Sequence, residues 1–506
     1  MKKIILTLSI VFNAILGWSQ TYITTTPVTG LKYPVAFCFT PDGRFLVTQK
    51  GGNSAGACAN AKVLMFNDTG AAIGTFWDFT DSVQCDFERG VLGICTDPGF
   101  ATNHFVYVYY NHLKNGVEKI RVVRFLENNN VGTNPLVVLN IAVSNLAGNH
   151  VGGNVRVNPK DGKLYISIGE TAVPAKAQQK TNPFGKILRI NTDGSIPTDN
   201  PFYDDGNPAT GNDDRIWTWG HRNPFDFIFS SINDSLYSSE NGSDTQHLGD
   251  DEVNMIHKGS NYGWQTCEGY DLYNSSSACN HPELTRPLTL LPAVSGSLPA
   301  ITGIIHYSSN VMPEFYGHIL VGDNDLGRIS DITLAHAPLY DSVTSNVVWK
   351  DVVTIPSSQG TGLTTLMQGP SDGCIYAMLG GYTTVGRIYK ICPPPPPPDT
   401  TSHLGINQPK NNLFAFKSTS PNPFSNTTNI YYELKEKAFV NISLYDITGR
   451  RIEVLMNNVL SNEGMHTFTI DADKLQLTEG SYFCRLDVVQ SNSLVFSQTR
   501  KIVLIK

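Results

Sequence analysis

Basic charge is scarce in this 506-residue chain: 37 lysines and arginines face 44 aspartates and glutamates, a formal net charge of −7, and charged residues make up 16% of all positions. No cationic field is available to hold a nucleic-acid backbone, which excludes nucleic-acid binding. Long apolar runs are scarce too. The one at the start, Ile4 to Gly17, spans about 14 residues, too short for a bilayer crossing. Lys2 and Lys3 precede it and Ser19 and Gln20 follow, the layout of a secretory signal peptide over residues 1–20. The mature chain is therefore expected to be exported and to carry no transmembrane segment. Also missing are any C-x-x-C pair and any histidine cluster at zinc spacing, so the nine cysteines of an exported chain read as disulfide formers before metal ligands. Cys267 and Cys279 bracket a short loop and are the easiest pair to propose, Cys38, Cys58, Cys85 and Cys95 could form two more, and Cys484 stands apart as a free or buried thiol.

Turn and strand formers are plentiful: 44 glycines, 21 tyrosines and 24 phenylalanines are spread among short β-rich runs. A phrase recurs, in which a strand leads through Pro or Asp into a glycine turn and a second strand. It appears as C-F-T-P-D-G-R-F-L-V-T at 38–48 and V-N-P-K-D-G-K-L-Y-I-S at 157–167, with further copies near residues 98, 231, 313 and 370. Six turn-linked strand pairs at this spacing predict an all-β fold, a six-bladed β-propeller over residues 21–392. Six prolines, Pro393 to Pro398, then open a linker over 393–417, because polyproline is extended and cannot enter a sheet interior. Residues 418–506 alternate in polarity between turn residues, the pattern of a small β-sandwich.

The chemistry concentrates between Trp217 and Trp264, where W-T-W-G-H-R-N-P is followed by S-E-N-G-S-D, D-D-E-V-N and N-Y-G-W. His221, Arg222, Asn223, two glycine turns and the carboxylates Asp251 and Glu252 make a polar site on loops held by a rigid scaffold. Arg222 carries a permanent charge and several fixed donors, suited to an anion or to negative charge that develops in a reaction.

With N-H-V-G-G-N at 149–154 and E-R-G-V-L-G at 88–93, these motifs resemble the glucose/sorbosone dehydrogenase family, soluble sugar dehydrogenases that use pyrroloquinoline quinone (PQQ). The resemblance spans about residues 30–392 and implies a PQQ-dependent aldose sugar dehydrogenase. It implies that His150 is the base for the sugar C1 hydroxyl, and that Arg222 stabilises the charge arriving with the hydride. It places Glu88, Asn149, Glu170, Arg222, Asn223 and Asn241 at the cofactor, with His221 and Asn223 shaping the loop and contacting the cofactor edge. It implies calcium on the carbonyls of Gly242 and Ser243, with Asp251 and Glu252 supporting that loop or a second calcium. The implied partners are an aldose and an external electron acceptor.

The chain departs from the family pattern in several places. Glu170 stands where the family has Asp, Glu88 where it has Gln, Ser243 where it has Pro, and Gly362 and Thr364 where relatives carry an Arg-x-Arg pair. The family lysine of the fifth blade is missing from V-G-D-N-D-L-G-R, where Arg328 is the nearest cation. These departures define a rival of another class, a cofactor-less propeller similar to hedgehog-interacting-protein-like members that binds glycan or protein at the cell surface. A propeller lactonase is a third possibility, needing a buried calcium held by several acidic and amide side chains. Beyond the linker, S-P-N-P-F at 420–424, the D-x-x-G-R turn at 446–450 and K-I-V-L-I-K at 501–506 resemble the type A sorting domain of the type IX secretion system. That resemblance implies passage through the periplasm to the outer surface or the medium.

Overall fold

The computed structural model describes residues 22–54, 56–143, 148–204, 211–243, 251–291, 298–335, 340–353, 361–394, 413–446, 451–490 and 493–505. The expected signal peptide and most of the polyproline linker lie outside the described residues. The chain divides into two compact units, Met1–Pro395 and Pro396–Lys506.

The first unit is a β-propeller. Among the described residues it holds six four-stranded antiparallel sheets, five of them nearly continuous in sequence. The strands through which neighbouring sheets meet are Pro34–Phe39, Val91–Thr96, Val155–Val157, Pro224–Phe229, Ile301–His306 and Leu363–Gln368, and the last of these contacts the first, which closes the ring. Strands buried on both faces read as unbroken apolar runs, as in V-L-G-I-C-T of Val91–Thr96, whereas the outer strand Ala72–Asp78 is mostly exposed. The repeated turn phrase falls between the first and second strands of every sheet, for instance between Phe39 and Phe45 and between Val157 and Leu164.

The core is divided among the contacts between sheets. One cluster joins Ala36, Leu46 and Val63 to Val91, Ile94 and Val106, and another joins Tyr107 and Ile120 to Val155 and Ile166. The ring is closed by the first strand among the described residues, Ile23–Leu31, which pairs with Gly386–Cys392 from Ile23↔Cys392 to Leu31↔Gly386. Val28 and Leu31, each 1% exposed, join Phe37, Phe45, Met378 and Ile388 in the closing cluster. Leu31→Ala should therefore lower the stability of this unit by about 2–5 kcal/mol, read from denaturant unfolding, because the cavity opens at the joint that completes the ring.

Three disulfides are present, Cys58–Cys85, Cys267–Cys279 and Cys374–Cys392. The pairing expected at Cys267–Cys279 forms. Only one bridge forms among the four N-terminal cysteines: Cys38 and Cys95 remain buried thiols, packed into different clusters on the inner strands of neighbouring sheets. Cys374–Cys392 was not anticipated and ties the turn before Ile375–Leu379 to the end of the last propeller strand.

The second unit is a sandwich of a three-stranded and a four-stranded sheet around one cluster that includes Phe416, Ile430, Val440, Leu486 and Ile502. Its first strand, Phe414–Ser420, pairs with Thr427–Leu434 and begins inside the expected linker. The F-A-F-K alternation is short and follows a polar run, which hid it. Residues 447–450 of the D-x-x-G-R turn lie outside the described residues.

Candidate functional site

Propeller strands alternate in direction, so loops entering the first strand of a sheet and loops leaving the second gather at one end of the ring. The residues singled out above for the site lie at this end, Asp251 and Glu252 among them at the start of the third strand of their sheet, opposite the end of Leu236–Glu240. Five of the six innermost strands also shift register near their starts, as between Val91 and Ile94 and between Leu363 and Thr365. Such bulges re-aim side chains where pairing begins.

His150 adopts a left-handed backbone with φ of 53°. Its amide donates to Glu88 Oε2 at 2.7 Å, and its carbonyl accepts from the amide of Thr171 at 3.0 Å. Its Nδ1 hydrogen-bonds Glu170 Oε1, while Glu170 Oε2 accepts from the amide of Val173 at 2.5 Å. Glu170 is fully buried, whereas the His150 side chain keeps 18% of its surface exposed. The resemblance places Glu170 at the cofactor; the structure engages both its oxygens and lets it act on the site through His150. The close approach needs Gly169, where a Cβ would stand 2.2 Å from His150 O and 2.8 Å from Asn223 Oδ1.

Arg222 is held from behind. Its amide and the Nδ1 of His221 both meet the carboxylate of Glu240, the latter at 2.8 Å, and its Nη1 donates to Asn241 O at 3.2 Å. The guanidinium carbon lies 5.5 Å from the centroid of the Trp264 ring. His221 is fully buried, stacked on Tyr262 at 4.7 Å and 3.0 Å from Thr218 Oγ1, so it shapes the loop and cannot reach a cofactor edge. Asn223 bridges the two halves: its Oδ1 accepts from Gly152 N at 2.9 Å, and its Nδ2 lies 3.5 Å from both Glu88 Oε2 and Asn241 Oδ1. Asn149 adjoins His150 in the same loop.

Asp251 and Glu252 were expected as a loop pair. They open the strand Asp251–Ile256 and are buried, because that strand is covered by Leu236–Glu240 on one side and Thr289–Leu291 on the other. The Asp251 carboxylate accepts from the amides of Gly242 at 2.8 Å and Ile301 at 2.6 Å and from Asn241 Nδ2 at 3.3 Å. Burial pushes its carboxyl well above the usual carboxylate range. Glu252 is pushed up to about 8, by burial first and then by the charge of Glu240, and accepts from Gly269 N at 2.7 Å and Asn254 Nδ2 at 3.1 Å. These contacts make both residues loop supports. Glu268, which the sequence did not single out, holds Ser243 through its amide and through Oγ at 2.8 Å. Among the described residues no cluster of three or more His, Cys, Asp or Glu is arranged to hold a metal ion; residues 244–250, next to Ser243, lie outside them.

The innermost strands surround a cavity with about 660 Å³ of empty space, its open mouth included. Lys50, Phe87, Glu88, Asn154, Thr364 and Tyr382 are among its lining residues. Sequence reasoning missed Lys50 and Tyr382; the signal for the first was a lone cation in T-Q-K-G-G at the end of an apolar strand. Arg328 does not line the cavity: it is 8% exposed, with Nε 3.7 Å from Asp323 Oδ2.

Residues 31–378 match the family model described as Glucose / Sorbosone dehydrogenase. The chain belongs to this family. Residues 419–505 match a second model, the secretion system C-terminal sorting domain, which assigns the second unit to export toward the cell surface. Among relatives of this glucose/sorbosone dehydrogenase family member, the aldose sugar dehydrogenase YliI of Escherichia coli is 24% identical over 379 residues, covering 72% of this chain and 91% of that protein. The quinoprotein glucose dehydrogenase B of Acinetobacter calcoaceticus is 29% identical over 269 residues, 48% of this chain and 52% of that protein. The PQQ-bound aldose sugar dehydrogenase of Streptomyces coelicolor shares the fold with a TM-score of 0.57 at 21% identity, over 74% of this chain and 98% of that one.

Proposed function

We propose that the chain is an exported PQQ-dependent oxidoreductase that converts the C1 hydroxyl of an aldose to the lactone. The observation that carries this reading is the His150–Glu170 pair set beside Arg222 on loops at one end of the propeller. With Glu170 ionised, Nδ1 of His150 carries its hydrogen toward the carboxylate and Nε2 keeps its lone pair. From there His150 accepts the C1 hydroxyl proton while hydride leaves C1, and the sugar loses two electrons and two hydrogens in all. PQQ, when bound, supplies the acceptor for that hydride, and an external electron acceptor reoxidises it. Arg222, whose guanidinium is fixed by Asn241 O and Trp264, stabilises the negative charge that grows at the acceptor.

The residues present fit an anionic, oxygen-rich cofactor. Arg222 and Lys50 supply cations, and Thr364 Oγ1 and Trp264 Nε1 are buried without a hydrogen-bond partner among the described residues. Calcium would be held by the main-chain carbonyls of Gly242 and Ser243, hard oxygen ligands whose amides Asp251 and Glu268 already fix. Gly362 and Thr364 bring no charge, and each charge-assisted contact they forgo is worth about 1.5–3 kcal/mol, so PQQ should bind more weakly than in relatives with an arginine pair.

The test is to mix the purified protein with PQQ and calcium and follow cofactor reduction as aldoses are added. Reduction that requires both is the expected result. Titration calorimetry showing no PQQ binding at millimolar calcium would remove the enzyme reading and leave the surface-binding propeller, which Gly362 and Thr364 favour.

A further inference from the structure

Lys50 follows directly on the strand Phe45–Gln49 and is 2% exposed. Its backbone is locked, with its amide donating to Tyr33 O at 2.9 Å and its carbonyl accepting from Val91 N at 3.2 Å. The side chain is thereby aimed into the cavity. There Nζ donates to Phe87 O and lies 4.5 Å from the centroid of the Tyr382 ring. An ammonium has three hydrogens to donate, and burying one without full compensation is costly.

The nearby carboxylates act on Lys50 through their charge and are engaged elsewhere. Asp86 Oδ1 accepts from Arg89 at 2.7 Å and Gln84 at 3.0 Å, and Glu88 Oε2 accepts from the His150 amide. Burial outweighs them and holds the Lys50 ammonium down at about 8. Thr364, 3% exposed, lines the same cavity from another sheet, and its Oγ1 has no partner among the described residues. Two of the three aromatic rings that line it are exposed, Phe87 at 56% with φ of 48° and Tyr382 at 37%; the third is Phe225. A buried cation with spare donors, an orphaned hydroxyl and two exposed rings around one space describe a receptor for a flat, negatively charged molecule.

We propose that this cavity is a carboxylate subsite, in which Lys50 Nζ and Thr364 Oγ1 donate to one anionic arm of the cofactor while Phe87 and Tyr382 flank its ring. The proposal rests on the PQQ reading and gives it a cation from the first sheet, where Gly362 and Thr364 supply none. Glu88 joins the two regions, lining the cavity and holding the His150 amide.

The test measures equilibrium PQQ binding with calcium, by calorimetry, alongside thermal unfolding of the cofactor-free protein. Lys50→Met should raise the PQQ dissociation constant by about 10- to 100-fold. It should not lower the unfolding temperature of the free protein, because the buried charge is relieved. Lys50→Arg should bind close to wild type. Thr364→Val, which removes only the orphaned hydroxyl, should weaken binding and leave the free protein as stable. Wild-type affinity in Lys50→Met would overturn the subsite while the cofactor reading stood. Should that variant fail to fold, unchanged affinity in Thr364→Val would overturn it. A wild-type protein that binds no PQQ overturns both readings at once.

Discussion

Replacing His150 by alanine should lower sugar oxidation by about 10²–10⁴-fold with little change in PQQ affinity, the signature of losing a general base and not a binding group. The geometry makes the separation possible. His150 is anchored through its amide to Glu88 and its carbonyl to Thr171, so the imidazole can be removed while the loop keeps its backbone contacts. Arg222→Ala should behave differently, damaging turnover and PQQ affinity together, because in the proposed function one guanidinium both binds the cofactor and stabilises the developing charge. Glu170→Gln provides a control. It keeps a buried hydrogen-bonding group but removes the charge that sets the imidazole tautomer, so it should depress turnover and shift the pH profile without weakening PQQ binding. Steady-state rates paired with calorimetric titration separate the three variants. Near-normal rates in His150→Ala would show that the base is another group.

The elements that could be read from the sequence are those whose physics is local. The repeated turn phrase needs Pro, Asp and Gly at fixed offsets whatever the neighbours do, and in the structure it joins the first two strands of each sheet. The loops that carry His150 and Arg222 were legible because their charged and glycine residues interrupt strand patterns abruptly. Features that depend on packing were not. Asp251 and Glu252 were read as residues of a loop, supporting it or a second calcium, and only pairing with strands on both sides places them in a strand and buries them. The hold of Glu170 on His150 was not legible, because the histidine comes from the loop entering the preceding strand. Lys50 is buried by residues 86–90, which arrive from the next sheet, where a Cβ at Gly90 would fall 2.3 Å from Lys50 O. Cys38 and Cys95 shared a plausible spacing with Cys58 and Cys85, yet spacing says nothing about which side of an inner strand a thiol occupies.

Deleting everything after Pro398 should leave the propeller folded and confine it to the periplasm. Each unit carries its own requirements for folding. The propeller closes on itself through the pairing of Ile23–Leu31 with Gly386–Cys392, before the polyproline run begins, and the sandwich has a separate cluster built from Phe416 to Leu504. No residue singled out for the site lies beyond Tyr382, so the sorting domain should act as an address and contribute nothing to the chemistry. Two measurements in a host with a type IX secretion system separate these statements. Thermal unfolding of the truncated protein should show the propeller transition at the temperature seen in the full chain, since a polyproline segment transmits little packing between the domains it joins. Fractionation should place the full chain outside the cell and the truncated one in the periplasm, a change from nearly all to nearly none. Truncated protein recovered outside the cell would refute the address, and failure of the propeller to fold alone would refute the boundary.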